Sequence, residues 1–522
     1  VYPAGPLAVL EAAEDGTLTG HLVDGRTLAC PARSLPAMVT WALGAGLGQA
    51  RLHKWGTDAD PMIVLTASAA TKLGLPDQLE DRRQLRLPED HKVVKALTKA
   101  GWQLTRRGFS SWTRVYKPVK DGARQCVQIA VMPWDALGPS NSWAVDPDTA
   151  PADVARILGT YAQRVIAPRG SMGTNGIELL LQLRPPTRAV WDEAQQRYVS
   201  GPVPGSFTRA VQPAPPDAPE EHPLAHGRNE DTDAMHEEAW NWHRPLTPEE
   251  ETRGFTVAVG LDTNTSFSRV EWDPRFPCPL TANGRPPTGP AWYTTQTLAY
   301  ALELGLAVEP SEAWLRRPAA AAWLDPWQEH LARAYKDTMA ALGIVQGMEP
   351  EAFLAAMEAY NQGAGDPVER QLARYVKQTV KSGIGKLRQS PARYIGYTPG
   401  EPWPELERLW WRPDVRAAVI ATARVSQHRK MLKTFEATGL APLVQAGGRA
   451  PARLVRRAPR RRHQPRPLHR PPRERARHRR RVRPMGKMTD ALDAAVRAKL
   501  TPKQAEIHKT TAGRTRFLLK QE

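Results

Sequence analysis

Residues 7–30 read LAVLEAAEDGTLTGHLVDGRTLAC, three short alternating runs separated at Asp15-Gly16 and Asp24-Gly25. Asp-Gly pairs supply the positive backbone angles that tight hairpins need, so this stretch predicts an antiparallel meander. SLPAMVTWALGAGL (34–47) follows as a helix with Ser34 at its N-cap, and PMIVLTASAATKLGL (61–75) as an apolar run leading into a second short helix. Residues 1–90 thus read as a small α/β unit.

A second α/β unit covers residues 91–194. A short helix around HKVVKALTKAGW (91–102) precedes two β-rich runs, SSWTRVYKPV (110–119) and QCVQIAVMPW (125–134), joined across Lys120-Asp121-Gly122-Ala123 as a hairpin. APADVARILGTYAQRVI (150–166) has helical amphipathicity and leads through APRGSMGTNG into the helix IELLLQLRP (177–185). Residues 195–250, rich in Pro, Asp, Glu and His, read as an acidic linker. Residues 251–440 form the largest unit, 441–484 a disordered Arg/Pro tail, and 485–522 a short helical segment. The fold class is α+β, multidomain.

The chain carries 72 Lys and Arg against 54 Asp and Glu, for a formal charge of +18. Its location matters more than its total. Residues 446–484 hold sixteen arginines and one acid, Glu474, and without the segment from 446 onward the charge is close to neutral. A nucleic-acid site in the globular part therefore has to be local. No apolar run is long enough for a membrane helix, and the first residues lack the basic region of a signal peptide. The three scattered cysteines, Cys30, Cys126 and Cys278, offer no disulfide framework and suit a reducing cytoplasm.

Three later stretches carry candidate chemistry. In GFTVAVGLDTNTSF (254–267) a β-branched strand ends at Asp262, either a Mg²⁺-holding carboxylate or the start of an Asx-turn. In RYVKQTVKSGIGKLRQ (374–389) a helix runs through Val380 and breaks at Ser382-Gly383-Ile384-Gly385. Lys377 and Lys381 share one helical face, which reads as a phosphate-binding face or a solvated basic one. The glycines admit a backbone or a base. In RPDVRAAVIATARVSQHRKMLKTFEATG (412–439), Val415, Val419, Ala423 and Val425 form the apolar stripe of a long helix that also carries Arg424, Arg429, Lys430 and Lys433. Further upstream, Trp112 among Arg106, Arg107 and Arg114 is a base-stacking candidate, whereas Trp323 and Trp327 have helical spacing and read as packing residues.

In this order the three stretches resemble the palm motifs of family B DNA polymerases. Asp262-Thr-Asn-Thr265-Ser266-Phe267 is a loose version of Asp, two variable residues, Ser-Leu-Tyr; Lys377, Lys381-Ser382 and Ile384-Gly385 follow the Lys-containing second motif with Lys for Asn and Ile for Tyr. Across residues 1–440, LPEDHKVVKALTKAGWQLTRRGF, GPAWYTTQTLAYALELG, LDPWQEHLARAY and WRPDVRAAVIATARVSQHRKM resemble the telomere-associated protein family of Streptomyces linear replicons. That resemblance implies a nucleoid-associated factor that binds the single-stranded telomeric overhang, recruits the terminal protein, and primes end patching by nucleotidyl transfer from dNTPs. Carried over, Asp262, Lys377 and Lys381 would be catalytic, with Mg²⁺ on Asp262. Ser382, Gly383, Gly385 and Arg424 would hold nucleotide, and Arg106, Arg107, Trp112, Arg114, Arg429, Lys430 and Lys433 would hold DNA. Fold-level analogy would make residues 91–194 a degenerate RNase H-like unit.

The last palm motif departs from the pattern: no Asp occurs between Asp414 and Asp490. A two-metal site lacking one carboxylate is impaired, which favours a non-catalytic DNA-binding adaptor as the alternative. Residues 446–484 use Arg, Pro, Ala and Gly with no Lys, the signature of a GC-rich gene read out of frame. MGKMTDALDAAVRAKL (485–500) then resembles the start of a terminal protein. A frameshift would explain both.

Overall fold

The computed structural model describes residues 2–79, 85–105, 108–120, 123–139, 142–207, 241–245, 247–249, 258–261, 275–280, 284, 293–306, 323–389, 404–446 and 515–518. They divide into one unit of residues 1–212 and 315–416 and another of 213–314 and 417–522.

The first unit is built on a seven-stranded mixed sheet. The Asp-Gly turns deliver the expected meander, β1 (Leu7–Ala12), β2 (Leu18–His21) and β3 (Thr27–Cys30), with positive φ at Gly16 and Gly25. Helix α1 (Leu35–Gly44) starts where Ser34 Oγ accepts from the Ala37 amide, as its sequence indicates. Strand β4 (Met62–Leu65) then pairs parallel to β1, Leu7 opposite Met62 and Leu10 opposite Leu65. After α2 (Ala67–Lys72) and α3 (Lys92–Lys99) come β5 (Gln103–Leu104), β6 (Trp112–Lys120) and β7 (Ala123–Val131), the last two an antiparallel hairpin. β7 lies parallel to β4, so the order is β3-β2-β1-β4-β7-β6-β5. The boundary expected at residue 90 therefore falls inside one sheet. The β4–β7 pairing spans more than sixty residues of chain and leaves no local trace in composition.

Both faces of the sheet are covered, as its parallel centre requires. Ala8, Leu10, Ile63, Leu65, Val127 and Ile129 pack under α1, α2 and α3. On the other face Leu7, Val9, Met62, Val64 and Ala130 meet α4 (Pro151–Arg164) and α5 (Met172–Leu183), together with α7 (Asp325–Ala341) and α9 (Pro367–Lys386) from far along the chain. Trp323 and Trp327 are core residues, in line with their spacing. Helix α8 (Pro350–Asn361) connects α7 to α9 over a small cluster of Met339, Ile344 and Ala373. The stretch 251–440, expected to be one domain, is divided: residues 323–389 belong to the first unit. β8 (Thr187–Asp192) and β9 (Arg197–Pro202) form a separate two-stranded hairpin. Its second strand replaces the first residues of the expected linker.

Helices α5 and α9 cross through glycine. A Cβ on Gly176 would stand 3.0 Å from both the Gly383 Cα and the Thr379 carbonyl oxygen, and one on Gly383 would stand 2.9 Å from the Trp327 ring. The Trp327 indole N–H donates to the Gly176 carbonyl at 2.8 Å. Beside the crossing runs a buried chain of hydrogen bonds: Asn175 Nδ2 donates to the Tyr161 hydroxyl at 3.0 Å, which lies 2.7 Å from Thr379 Oγ1, which donates to the Tyr375 carbonyl at 2.9 Å. Helix α9 thus continues through Gly383 and Gly385 to Lys386, whereas the sequence predicts a helix through Val380 that breaks at Ser382-Gly383-Ile384-Gly385. Glycine weakens a helix by about 1 kcal/mol relative to alanine; here the close contact that only glycine permits offsets it.

In the second unit, β10 (Asn241–His243), β11 (Ala258–Leu261), β12 (Pro442–Ala446) and β13 (Thr515–Leu518) form an antiparallel sheet in the order β10-β12-β13-β11. Residues 442–446 and 515–518 are thereby strands within segments expected to be disordered and helical; residues 447–514 lie outside the described residues. Helix α6 (Thr295–Glu303) places Tyr300 against α10 (Pro413–Thr438), where Phe276, His428 and Phe435 make edge contacts. The inward residues of α10 include Ala417, Ala421, Arg424, His428, Met431 and Leu432. The expected stripe through Val415, Val419, Ala423 and Val425 is corrected: Ala423 is exposed, and polar Arg424 and His428 occupy the buried side.

Gly176→Val should lower the free energy of unfolding by about 1–3 kcal/mol through overpacking of the α5–α9 crossing, read as a shifted urea midpoint. An equal midpoint would show that the crossing relaxes freely.

Candidate nucleic-acid interface

Helix α9 begins where Asp366 Oδ1 accepts from the Val368 amide and Pro367 occupies the first turn. Val368, Leu372, Tyr375, Val376, Thr379 and Gly383 face the core. At intervals of four, three and four residues the outer face carries Arg370, Arg374, Lys377 and Lys381, of which Arg374, Lys377 and Lys381 are exposed. From Arg370 to Lys381 this stripe runs about 16 Å. The single acid of the helix, Glu369, is half-buried and held by the Arg164 guanidinium, one arm at 2.8 Å. Arg370 packs over the Tyr360 ring at 5.0 Å, and the Lys377 ammonium lies 5.1 Å from the Tyr335 ring centre.

Lys377 and Lys381 are therefore together on the surface. Ser382 is half-buried and accepts from Gln378 Nε2 at 2.9 Å, and Gly385 is exposed with open space beside it. Gly383 is corrected from a nucleotide contact to a packing residue, since Gly176 and Trp327 fill its free side. Asp262, Arg106 and Arg107 lie outside the described residues.

Trp112 and Arg114 point to structural work. The Trp112 indole donates to the Ala136 carbonyl at 3.2 Å and its ring sits 6.2 Å from Trp143. Arg114 donates through Nε to Cys126 Sγ at 2.8 Å and pairs with buried Asp60 at 3.4 Å. Asp60 also accepts from Gln128 at 3.0 Å and faces Arg169 at 3.7 Å, which in turn pairs with Glu178 at 2.7 Å. Burial, reinforced by Asp60, pushes the Cys126 thiol up to about 12. This network fastens the start of β4 to the loop before α5.

The cations of α10 turn inward. Arg424 is fully buried, Arg429 pairs with Glu303 and stacks 4.7 Å above the Tyr300 ring, and both Arg429 and Lys433 are partly open to solvent. Lys430 is 6 % exposed and its Nζ has no hydrogen-bond partner among the described residues. Burial pulls its pKa down to about 8 and that of His428, which lies 2.8 Å from the Tyr300 hydroxyl, down to about 3. The surface reading of Arg424 and Lys430 is thus corrected by their burial.

The sequence reading also passed over two aromatic sites. Trp55 lies beneath the Arg188 guanidinium at 4.7 Å and the Lys54 ammonium at 4.5 Å, with His53 beside it at 5.3 Å. Trp191 and Tyr198 sit opposite each other on β8 and β9 and are exposed. The basic-aromatic run HKW (53–55) and the alternation of AVWDEAQQRYV (189–199) were the available signals.

Among the described residues, no cluster of three or more His, Cys, Asp or Glu side chains could hold a metal ion, and no helix is long and apolar enough to cross a membrane. Residues 8–171, from β1 to the loop before α5, match a family described as a domain of unknown function (DUF8841). No curated protein and no solved structure matches the chain.

The buried Lys430 makes a signed prediction. The folded protein releases this proton near pH 8, the unfolded chain near 10.5, so the unfolded state binds more protons between them and stability rises with pH across that window. Lys430→Met should therefore be more stable than the parent at pH 7, with the advantage shrinking from pH 8 to 10 in parallel urea titrations. A constant difference would place the ammonium in solvent.

Proposed function

We propose that this chain is a DNA-binding, telomere-associated factor that lays the outer face of α9 along the phosphate backbone. The observation that carries the reading is a surface row of Arg374, Lys377 and Lys381 on a helix whose other face is locked into the core. Such contacts position a protein on nucleic acid without reading its sequence, and they release counterions, so affinity falls steeply with salt. The resemblance of residues 1–440 to telomere-associated proteins supplies the proposed setting: a single-stranded end, with terminal protein as partner.

The scaffold supports a nucleic-acid lineage by analogy. Three antiparallel strands, flanked by β4 and β7 parallel to β1 and covered by helices on both faces, follow the strand order of RNase H-like domains. The central stretches Leu7–Leu10 and Met62–Leu65 are wholly apolar, so the sheet offers a rigid support there rather than a carboxylate site. Nucleotidyl transfer is the second reading; it rests on Asp262 of the GFTVAVGLDTNTSF stretch and on Mg²⁺ as the resemblance implies.

Replacing Lys377 and Lys381 together by alanine should weaken binding to every DNA sequence alike and reduce the slope of log affinity against log salt by about one per contact removed. An unchanged slope would remove α9 from the interface. For the second reading, Mg²⁺-dependent dNTP incorporation abolished by Asp262→Ala supports an enzyme; DNA binding of both proteins without incorporation supports an adaptor.

A further inference from the structure

Helices α7 and α9 run in opposite directions and meet at three levels. At one end the Trp327 ring fills the free side of Gly383. At the other, Arg164 of α4 joins the two helices, donating to Thr338 Oγ1 at 3.0 Å and to Glu369 Oε1 at 2.8 Å. Between these levels Tyr335 of α7 comes to the surface. It is half-buried, packed against the core under the sheet and against the cluster of Met339, Ile344 and Ala373, and the Lys377 ammonium lies 5.1 Å from its ring centre. The ring is thus held by its own packing, independently of the lysine it meets. Lys381, one turn further along α9, is exposed and makes no hydrogen bond, ion pair or ring contact among the described residues. Arg370 has a ring beneath it too, Tyr360 at 5.0 Å, but its Nη1 also donates to the Tyr360 and Ala364 carbonyls, so that pair serves to close the end of α8.

An exposed lysine gives up rotamer freedom when a phosphate fixes it, and that loss is subtracted from the affinity. A ring that already holds the ammonium removes part of the loss beforehand. Its attraction comes from the ring quadrupole, so the positive charge stays available to a polyanion. We propose that Tyr335 is a positioning residue of the α9 face, presenting the Lys377 ammonium to phosphate from a fixed place. Lys377 then contributes more to DNA binding than Lys381, although both are exposed lysines of one helical face. The proposal rests on the reading of α9 as the DNA-contacting face. It adds to that site a residue of another helix that acts through Lys377 and not through a charge of its own.

The test uses the full chain and fluorescence anisotropy with one labelled DNA oligonucleotide. Salt of about 0.3 M weakens the generic contribution of the arginine-rich segment. Tyr335→Leu should lower affinity about 2- to 5-fold, the range of an exposed cation–ring contact, and Tyr335→Phe, which keeps the ring, should retain parental binding. The same Tyr335→Leu change should cost as much in a Lys381→Ala background and nothing further in a Lys377→Ala background, because only Lys377 depends on the ring. That dependence on background separates positioning from a loss of folding, which would weaken binding in every background alike. Parental affinity in Tyr335→Leu would overturn the proposal and leave α9 standing. An equal loss in all three backgrounds would overturn it as well, as would a phenylalanine variant as weak as the leucine one, or a larger loss from Lys381→Ala than from Lys377→Ala. If Lys377→Ala and Lys381→Ala together bind as the parent does, the α9 reading itself falls and takes the proposal with it.

Discussion

Everything distinctive in the first unit depends on two helices approaching closely enough for Gly176 to touch Gly383. The contact is between backbones, so it permits no side chain at either position and sets the rotation of α9 about its own axis. That rotation buries Tyr375 and Thr379 beside Tyr161 and leaves Lys377 and Lys381 facing water. The Trp327 indole bonded to the Gly176 carbonyl ties α7 to the same point. A segment more than 150 residues away in sequence thereby becomes one of the two layers covering a sheet formed by the first third of the chain.

Polar chemistry is sorted by the same packing. Charges near the core are paired: Arg164 with Glu369, and Arg114 and Arg169 around Asp60. Such pairs contribute modestly to net stability but are costly to break, because the remaining partner is left desolvated. The exposed cations of α9, Arg374, Lys377 and Lys381, face water, where solvation costs nothing and a polyanion can replace it. Lys430 is the exception, a buried ammonium whose lowered pKa shows what burial alone does.

Local signals were legible and distant ones were not. The meander was readable because Asp-Gly at 15–16 and 24–25 specifies the turn independently of the rest of the chain, and Ser34 caps α1 through a contact three residues away. The single sheet across residue 90 was not, because parallel pairing of β4 and β7 depends on a long connection. The serine-glycine stretch at 382–385 read as a helix end because propensity is local, whereas the packing that sustains the helix involves Gly176. The hairpin at 187–202 was hidden by the turn-rich, charged composition of the residues that follow it. In the candidate site, Lys377 and Lys381 were visible by helical spacing alone, while the burial of Gly383, Arg424 and Lys430 required their neighbours.

The central claim is that α9 meets nucleic acid with the face its glycine crossing turns outward. Lysine-acetylation footprinting of the full chain, read by mass spectrometry with and without a DNA oligonucleotide, tests it most directly. The account predicts that Lys377 and Lys381 react readily in the free protein and are protected by DNA, while Lys430 stays unreactive in both. Equal modification of Lys377 and Lys381 in the free and DNA-bound protein would contradict it.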